Sequence, residues 1–232
     1  MKIHFLGTGA ADWNLHEADA SPVFRRNSAI LINDQLIVDP GPCIFEFAET
    51  FEQPRLFSDV RYAVCTHLHP DHYSPESLQK LGLTLTETVL FQPVTLGDLR
   101  ITAVPANHKT AEEPKHLVIE ELSTGKRIFY GLDGAWLKYE TAHFLKDLHF
   151  DLMVFDGTVG FASDVSERFD YRIFEHNGME MVLLLCNFFQ EQCDRFYISH
   201  MARTLHGDHQ SLSDRLAAHH IHVAYDHLVL EI

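Results

Sequence analysis

The sequence predicts an α/β sandwich in which two β-sheets pack face to face and helices cover their outer faces. Short segments rich in Ile, Val, Phe and Tyr follow one another in the first half of the chain, whereas in the second half they alternate with helical patterns. No Pro- or Ser-rich linker and no repeat divides the 232 residues, of which 46% are hydrophobic. We therefore expect one domain spanning residues 1–232.

The expected elements are short. Strands are predicted at residues 2–6, 28–32, 36–39, 62–66, 89–93, 100–104, 116–121, 127–131, 152–155, 196–199 and 223–225. Helices are predicted at residues 43–50, 75–81, 137–148, 177–191 and 210–219. Polar side chains close several strands or follow them directly, namely Asp39, His67, His108, Asp133, Asp156 and His200. Ligands bind at the carboxyl ends of strands in layered α/β folds, so these side chains are candidates for a shared site.

The overall charge argues against a polyanionic partner. Asp and Glu total 33 against 18 Lys and Arg, a formal net charge of -15, so nucleic acid is not expected as a partner. The sequence has no apolar run of about 18 residues and no pattern of a secretory leader, which predicts a soluble, cytoplasmic protein without membrane contact. The four cysteines form no CxxC pair, so neither a zinc ribbon nor a disulfide framework is indicated.

The most informative stretch is HLHPDH, residues 67–72, directly after an apolar strand. His67 and His69 are two residues apart, so both imidazoles can face one side of an extended or turning backbone. Asp71 and His72 come from the next turn, after Pro70 ends the strand. Imidazoles and carboxylates without a thiolate suit Zn, Mn or Fe at a reactive site rather than a structural zinc. The alternative is a histidine-rich surface turn that binds no metal.

Further motifs accompany this stretch in a fixed order: FLGTGA, VDPGP, THLHPDH, an NH after a strand, LDG, ISH and a final YDHLVLEI. In these motifs and their order the sequence resembles the metallo-β-lactamase superfamily over nearly its whole length. It is most similar to the branch that contains the cyclic phosphodiesterase of the carbon-phosphorus lyase pathway, the tRNA 3′ processing endonuclease and the pyrroloquinoline quinone biosynthesis B protein. The resemblance implies a four-layer αββα sandwich and a metal-dependent hydrolase with two divalent ions, Zn or Mn, with Fe as a further candidate.

The resemblance also implies a role for individual residues. One metal would be bound by His67, His69 and His108, and the other by Asp71, His72 and His200. Asp133 would bridge the two ions together with a hydroxide that attacks the substrate. Asp71 is thus both a predicted ligand and a predicted catalytic residue.

His176, in RIFEHNGME, is the predicted general acid, because it lies just before a helix and matches the branch's acid in position. The alternative is an exposed histidine near a helix N-terminus. Asp39 is expected to accept a hydrogen bond from a ligand imidazole, and Asn107 and Thr158 to contact substrate oxygens, although each could instead form a turn or cap.

The expected activity is hydrolysis of a small-molecule or cyclic nucleotide phosphodiester. Ester or lactone hydrolysis at the same site is an alternative, as is a non-hydrolytic, metal-binding accessory protein. The sequence leaves the oligomeric state open, a homodimer included. It also departs from the resembled pattern, because His227 stands where Gly is usual and the segment after GTG has no cysteine for an additional zinc site.

Overall fold

The computed structural model describes residues 1–21, 23–164 and 171–232. A first sheet joins N-terminal strands to the last strand of the chain: β1 (Lys2–Gly7), β2 (Ala29–Ile32), β3 (Leu36–Val38), β4 (Tyr62–Val64) and β12 (Val229–Glu231). Their spatial order is β12-β1-β2-β3-β4. Strand β1 pairs antiparallel with both β12 and β2, whereas β3 and β4 pair in parallel. The carboxyl ends of β3 and β4 therefore lie side by side.

The second sheet contains the remaining strands: β5 (Val94–Leu96), β6 (Leu99–Pro105), β7 (Lys115–Glu121), β8 (Arg127–Gly131), β9 (Leu152–Asp156), β10 (Phe196–Ser199) and β11 (Ile221–Val223). They lie in the order β11-β10-β9-β8-β7-β6-β5. Strands β8 to β11 run parallel to one another, whereas β7 pairs antiparallel with β8. The polar residues Asp133, Asp156 and His200 therefore leave three adjacent strands at one edge of the sheet.

Helices cover the outer face of each sheet: α1 (Ile44–Thr50), α2 (Pro75–Leu81), α3 (Tyr139–Leu145), α4 (Met179–Phe188) and α5 (His209–Ala217). Phe47 of α1 and Leu78 of α2 pack on Ile37 and its neighbours in the first sheet. Val182, from α4, and the buried leucines of α3 and α5 pack on the second sheet.

Between the sheets, apolar side chains from both inner faces form a third buried cluster, to which Phe5 and Val38 contribute from one sheet and Ile119 and Tyr130 from the other. The burial of each such side chain contributes roughly 1.5–3 kcal/mol. The predicted α/β class and the four-layer αββα arrangement are confirmed.

The structure corrects several predicted elements. Residues 89–93, all described, form isolated bridges instead of a strand, because Phe91 has a left-handed φ of 59° that interrupts the extended backbone. The strand predicted at 223–225 lies at Ile221–Val223, and β12 was not predicted. The helices predicted at 137–148 and 177–191 are shorter, at Tyr139–Leu145 and Met179–Phe188. Among the described residues, no helix has the length and hydropathy needed to cross a membrane.

Candidate metal centre

The loop that carries HLHPDH is fixed by the carboxyl ends of β3 and β4. Asp39 has a left-handed φ of 55°, and its Oδ1 accepts hydrogen bonds from Thr66 N at 2.7 Å and Thr66 Oγ1 at 3.0 Å. Gly41 approaches the loop so closely that a Cβ there would lie 2.4 Å from the carbonyl oxygen of Asp71. The loop ends at Ser74, whose side chain accepts from Ser77 N and caps α2.

Three imidazoles form the first group of converging side chains. The ligand atoms of His67, His69 and His108 lie within 4.8 Å of one another, and His69 Nδ1 is 3.2 Å from His108 Nε2. Burial lowers the pKa of His67 to about 2, so its ring is neutral, and its buried Nε2 has no hydrogen-bond partner. His108 Nδ1 donates to the carbonyl oxygen of Glu175 at 3.0 Å. This bond leaves Nε2 of His108 as the nitrogen with the lone pair.

The second group consists of Asp71, His72 and His200. Nε2 of His72 lies 3.2 Å from Nε2 of His200, and Asp71 Oδ2 lies 3.4 Å and 3.5 Å from these two nitrogens. The other nitrogen of His72, Nδ1, lies 3.0 Å from Asp39 Oδ2. Asp39 therefore stands where the sequence placed it, behind an imidazole of the cluster, where its carboxylate fixes the ring orientation.

Asp133 lies between the two groups. Its Oδ2 is 2.6 Å from His72 Nε2 and 3.2 Å from His200 Nε2, and its Oδ1 is 3.9 Å from His108 Nε2. The side chain is buried, which alone would raise its pKa, but the neighbouring imidazoles of His200 and His72 hold the pKa well below its usual range. Asp133 is therefore ionised and shared, as a bridging carboxylate must be.

His176 belongs to the same cluster. Its Nδ1 lies 2.9 Å from Asp156 Oδ2 and 3.5 Å from Asp133 Oδ1. Burial opposes the charge on the ring, but the carboxylates of Asp156 and Asp133 outweigh it and raise the pKa of His176 to about 9. The ring that the sequence singled out as a proton donor thus favours the protonated form in this environment.

Asp156 is a site residue to which the sequence gave no role. It is fully buried, and its carboxylate also accepts from Asp133 N at 3.0 Å and Thr158 N at 2.9 Å. The available signal was its position at the end of β9, beside two strands that also end in site residues. Its pairing with His176, 20 positions along the chain, is not readable from that signal.

Thr158 and Asn107 lie at the cluster but are occupied by the protein itself. Thr158 Oγ1 lies 2.8 Å from His200 Nδ1 and 3.2 Å from His176 Nδ1. Asn107 Nδ2 donates to the carbonyl oxygen of Ala135 at 2.6 Å, and Ala135 N donates back to Asn107 O at 3.1 Å. Thr158 is thus in a position to orient His200 and His176, and Asn107 fixes the backbone at Ala135. Contact of either side chain with a substrate stays a prediction.

Several polar residues outside the cluster have structural partners. Arg25 and Arg26 are buried, and Arg26 pairs with Glu46 and Asp226. His206 Nε2 donates to the carbonyl oxygens of Gly157 and Thr158. His227 adopts a left-handed φ of 72° and stacks on the Phe51 ring at 4.7 Å, so the histidine that replaces glycine keeps the glycine-like backbone.

The donor set fits divalent metal ions. Imidazole nitrogens and carboxylate oxygens converge to within 4.8 Å of one another, and Asp133 belongs to two of the overlapping groups. A divalent cation would offset the repulsion among like donors and the cost of burying them. Among the described residues, the buried Nε2 of His67 has no hydrogen-bond partner, so its lone pair is free to bind a cation.

Comparisons with known proteins agree with the arrangement of the strands. No protein-family model matches the sequence, and no curated protein matches it. The metallo-β-lactamase fold protein YhfI from Bacillus subtilis superposes with a TM-score of 0.72 at 14% identity, covering 100% of this chain and 99% of that one. A diphosphatase from the PhnP family gives 0.70 at 15% identity, with 100% and 97% coverage.

The short form of human tRNase Z, ELAC1, gives a TM-score of 0.67 at 16% identity, with coverage of 100% of this chain and 99% of that one. Such likeness at low identity and full coverage shows a common fold. From its two sheets, its covering helices and these neighbours, the chain has the metallo-β-lactamase fold that the order of its motifs predicts.

Proposed function

We propose that the protein is a dinuclear metal-dependent hydrolase that cleaves phosphodiesters of small molecules or nucleotides. The observation that carries this proposal is the position of Asp133 between two groups of ligand-type side chains, with His176 3.5 Å from the same carboxylate. His67, His69 and His108 would hold one ion, and Asp71, His72 and His200 the other. Zinc and manganese suit this set of imidazoles and carboxylates.

When bound, the two ions would supply Lewis-acid stabilisation of the developing charge and a nucleophilic oxygen near neutral pH. The protein's own groups supply orientation. Asp39 accepts a hydrogen bond from His72 Nδ1, and Thr158 Oγ1 forms a hydrogen bond with His200 Nδ1. Both nitrogens face away from the centre, so these two bonds fix the tautomers of the rings. Rigid ligands keep the reacting atoms in line, because the strand ends that carry them are buried.

His176 would protonate the leaving alkoxide. Because Nδ1 is held by Asp156, transfer of a proton to the leaving group would use Nε2. Asp156 plays a positioning role, since its carboxylate both orients the ring and favours its charged form. A phosphodiester needs such an acid more than an activated ester or lactone does, and this supports phosphorus as the centre of attack.

Two neighbours of similar fold support hydrolysis at phosphorus. One is named for diphosphate hydrolysis and another for processing of tRNA, and both reactions take place at phosphorus. The strongly acidic charge of this chain favours a small substrate over a nucleic acid. A small cyclic phosphate or nucleotide ester is therefore the proposed substrate.

The test is turnover of bis(p-nitrophenyl) phosphate by protein loaded with Mn²⁺ or Zn²⁺, beside a panel of p-nitrophenyl esters and lactones. We expect phosphodiester turnover that falls at least 100-fold in Asp133→Asn, with two metal ions per chain in the wild type by elemental analysis. His219→Gln, at an exposed histidine outside the site, serves as the control and should keep full activity. An inert wild type with two ions bound, or faster lactone turnover, would contradict the proposal.

A further inference from the structure

Trp136 is exposed and lies close in the chain to the candidate metal centre. It lies three residues after Asp133, and 45% of its side chain is accessible to solvent. Burial of a large aromatic side chain normally contributes roughly 1.5–3 kcal/mol or more to stability, so an exposed tryptophan is unusual. Single exposed apolar side chains are otherwise ordinary.

The backbone of Trp136 is also unusual. Its φ is 48°, in the left-handed region that bulky residues rarely adopt. Trp136 N donates to Asn177 Oδ1 at 2.7 Å, and Asn177 is buried, with its own N–H 3.3 Å from Asp156 Oδ1. The strained residue is therefore tied to the neighbour of His176, and strain of this kind is stored at functional sites.

Other large apolar side chains that neighbour site residues in the chain are also exposed. Leu68, between two imidazoles of the first group, is 46% exposed, and Phe174, two residues before His176, is 69% exposed. Ligand pockets combine apolar and aromatic walls with a few polar groups that fix orientation. The polar groups here are the metal ligands and His176, so the apolar wall must meet the part of the substrate beyond the phosphate.

We propose that Trp136 is a specificity-determining platform on which a flat aromatic ring of the substrate stacks, so that the preferred phosphodiesters carry a nucleobase or an aryl group. This inference rests on the proposed function, because it describes the substrate of the same site. An indole face stacks any base or aryl ring without hydrogen-bond selection. The indole ring has no comparable stacking interaction with an aliphatic ester.

The experiment compares three five-membered cyclic phosphates by ³¹P NMR: adenosine 2′,3′-cyclic phosphate, 1-phenylethane-1,2-diol cyclic phosphate and glycerol 1,2-cyclic phosphate. Trp136→Gly removes the ring and suits the left-handed backbone, so folding should be preserved. Its kcat/KM should fall about tenfold for the two aromatic substrates and less than twofold for the glycerol compound. Trp136→Phe should recover most of the loss. Phe188→Ala, at an aromatic residue that is 60% exposed on α4, is the matched control.

Four outcomes are decisive. A fall for the adenosine compound alone assigns the platform to nucleobases, and a fall for both aromatic compounds assigns it to aromatic rings in general. An equal fall for all three substrates, or none, overturns the inference.

Stacking is also measured without turnover. Adenosine 5′-monophosphate should quench the tryptophan fluorescence of the wild type in a saturable manner, and this quenching should be lost in Trp136→Phe, which retains Trp13. If the wild type hydrolyses no phosphodiester but shows this quenching, the proposed function fails and the stacking platform stands. If the quenching is the same in Trp136→Phe as in the wild type, the platform is wrong whatever the activity.

Discussion

Asp156 is the side chain that sets the orientation and charge of His176. The carboxylate lies 2.9 Å from His176 Nδ1 and is fully buried, so little else competes for the ring. Asp156→Asn keeps an acceptor for the backbone N–H groups but removes the charge. We expect kcat for a phosphodiester to fall roughly 10- to 100-fold while two metal ions stay bound, as for other residues that orient a catalytic group.

Asp151→Asn is the control for this change, since Asp151 lies just before the other end of the same strand and pairs with Lys126. It should keep kcat within twofold. Unchanged turnover in Asp156→Asn would remove Asp156 from the mechanism, and loss of metal together with turnover would assign it to metal binding instead.

His4 makes the stability of the protein depend on pH. Burial, with the nearby charges of His227 and Lys2, lowers its pKa from 6.5 to about 4. The folded protein therefore binds fewer protons at this site than the unfolded chain, so the contribution is present above pH 6.5 and is lost as the pH falls towards 4. Between pH 7 and pH 4.5 the wild type should lose about 2–3 kcal/mol more free energy of unfolding than His4→Leu.

Urea unfolding of both proteins at the two pH values measures this difference. Leucine breaks no hydrogen bond at Nε2, because that atom has no hydrogen-bond partner among the residues that the structure describes. Equal pH dependence in the two proteins would show that His4 titrates normally.

Single residues also show where sequence reasoning stopped. His67, His69 and His72 were readable as candidates because a local spacing placed them in one loop. Asp156 was noted at a strand end but had no assigned role, because its partner His176 follows 20 residues later and meets it only through the tertiary fold. The burial of His4 could not be predicted either, since the pattern of β1 shows only that it lies between apolar neighbours.

At the scale of elements, the turn between β3 and α1 holds the loop of residues 67–72 in place. Gly41 lies against the backbone of Asp71, where a Cβ would come within 2.4 Å of a carbonyl oxygen that cannot move without shifting the loop. We expect Gly41→Ala to lower the free energy of unfolding by roughly 1–3 kcal/mol, as overpacking does, and to weaken metal binding because Asp71 is displaced.

Gly82→Ala provides the matched control. Gly82 ends α2 with a left-handed φ of 69° and has no atom within 4 Å of the added Cβ. Alanine there should cost about 1–2 kcal/mol through backbone strain alone and leave the affinity for metal unchanged. Calorimetric titration of both variants with Zn²⁺ separates the two effects, and equal affinities would contradict the role assigned to Gly41.

Elements were predictable where their ends carry strong local signals. Residues 75–81 were predicted and observed as a helix, because Ser74 caps it, Pro75 begins it and Gly82 ends it. Residues 89–93 have the composition of a strand but bend at Phe91, whose left-handed backbone no local pattern requires. Strand β12 was missed because three residues with one apolar side chain buried carry too little periodicity.

For the whole molecule, the layers could be predicted but the convergence of the site could not. Two apolar faces per sheet follow from composition, and the sandwich follows from burying them. The meeting of His108, Asp133 and His200 requires β8, β9 and β10 to pair in parallel and the two sheets to face each other in one register. Contacts within the cluster join residues as far apart as His72 and His200, which are separated by 128 positions. The order of the motifs was the available sequence signal for such contacts.

The assembled site should couple metal binding to the stability of the entire fold. The ligands come from both sheets, so a bound ion ties β4 and its loop to the ends of β6, β8 and β10 and is lost when the chain unfolds. An ion at 100 times its Kd adds about 2.7 kcal/mol to the free energy of unfolding. In a chain of this length each kcal/mol raises Tm by roughly 2–4 °C.

Zn²⁺ or Mn²⁺ should therefore raise Tm by about 5–10 °C over protein treated with a chelator, measured by scanning calorimetry. His67→Ala should lose part of this shift, because the buried Nε2 that has no other partner is removed. His219→Gln, at an exposed histidine of the surface, should keep all of it. A Tm that changes with neither metal nor chelator would mean that the converging imidazoles hold no ion in the folded protein. A Tm shift that is undiminished in His67→Ala would mean that the metal binds at Asp71, His72 and His200 without the first group. The site would then be mononuclear.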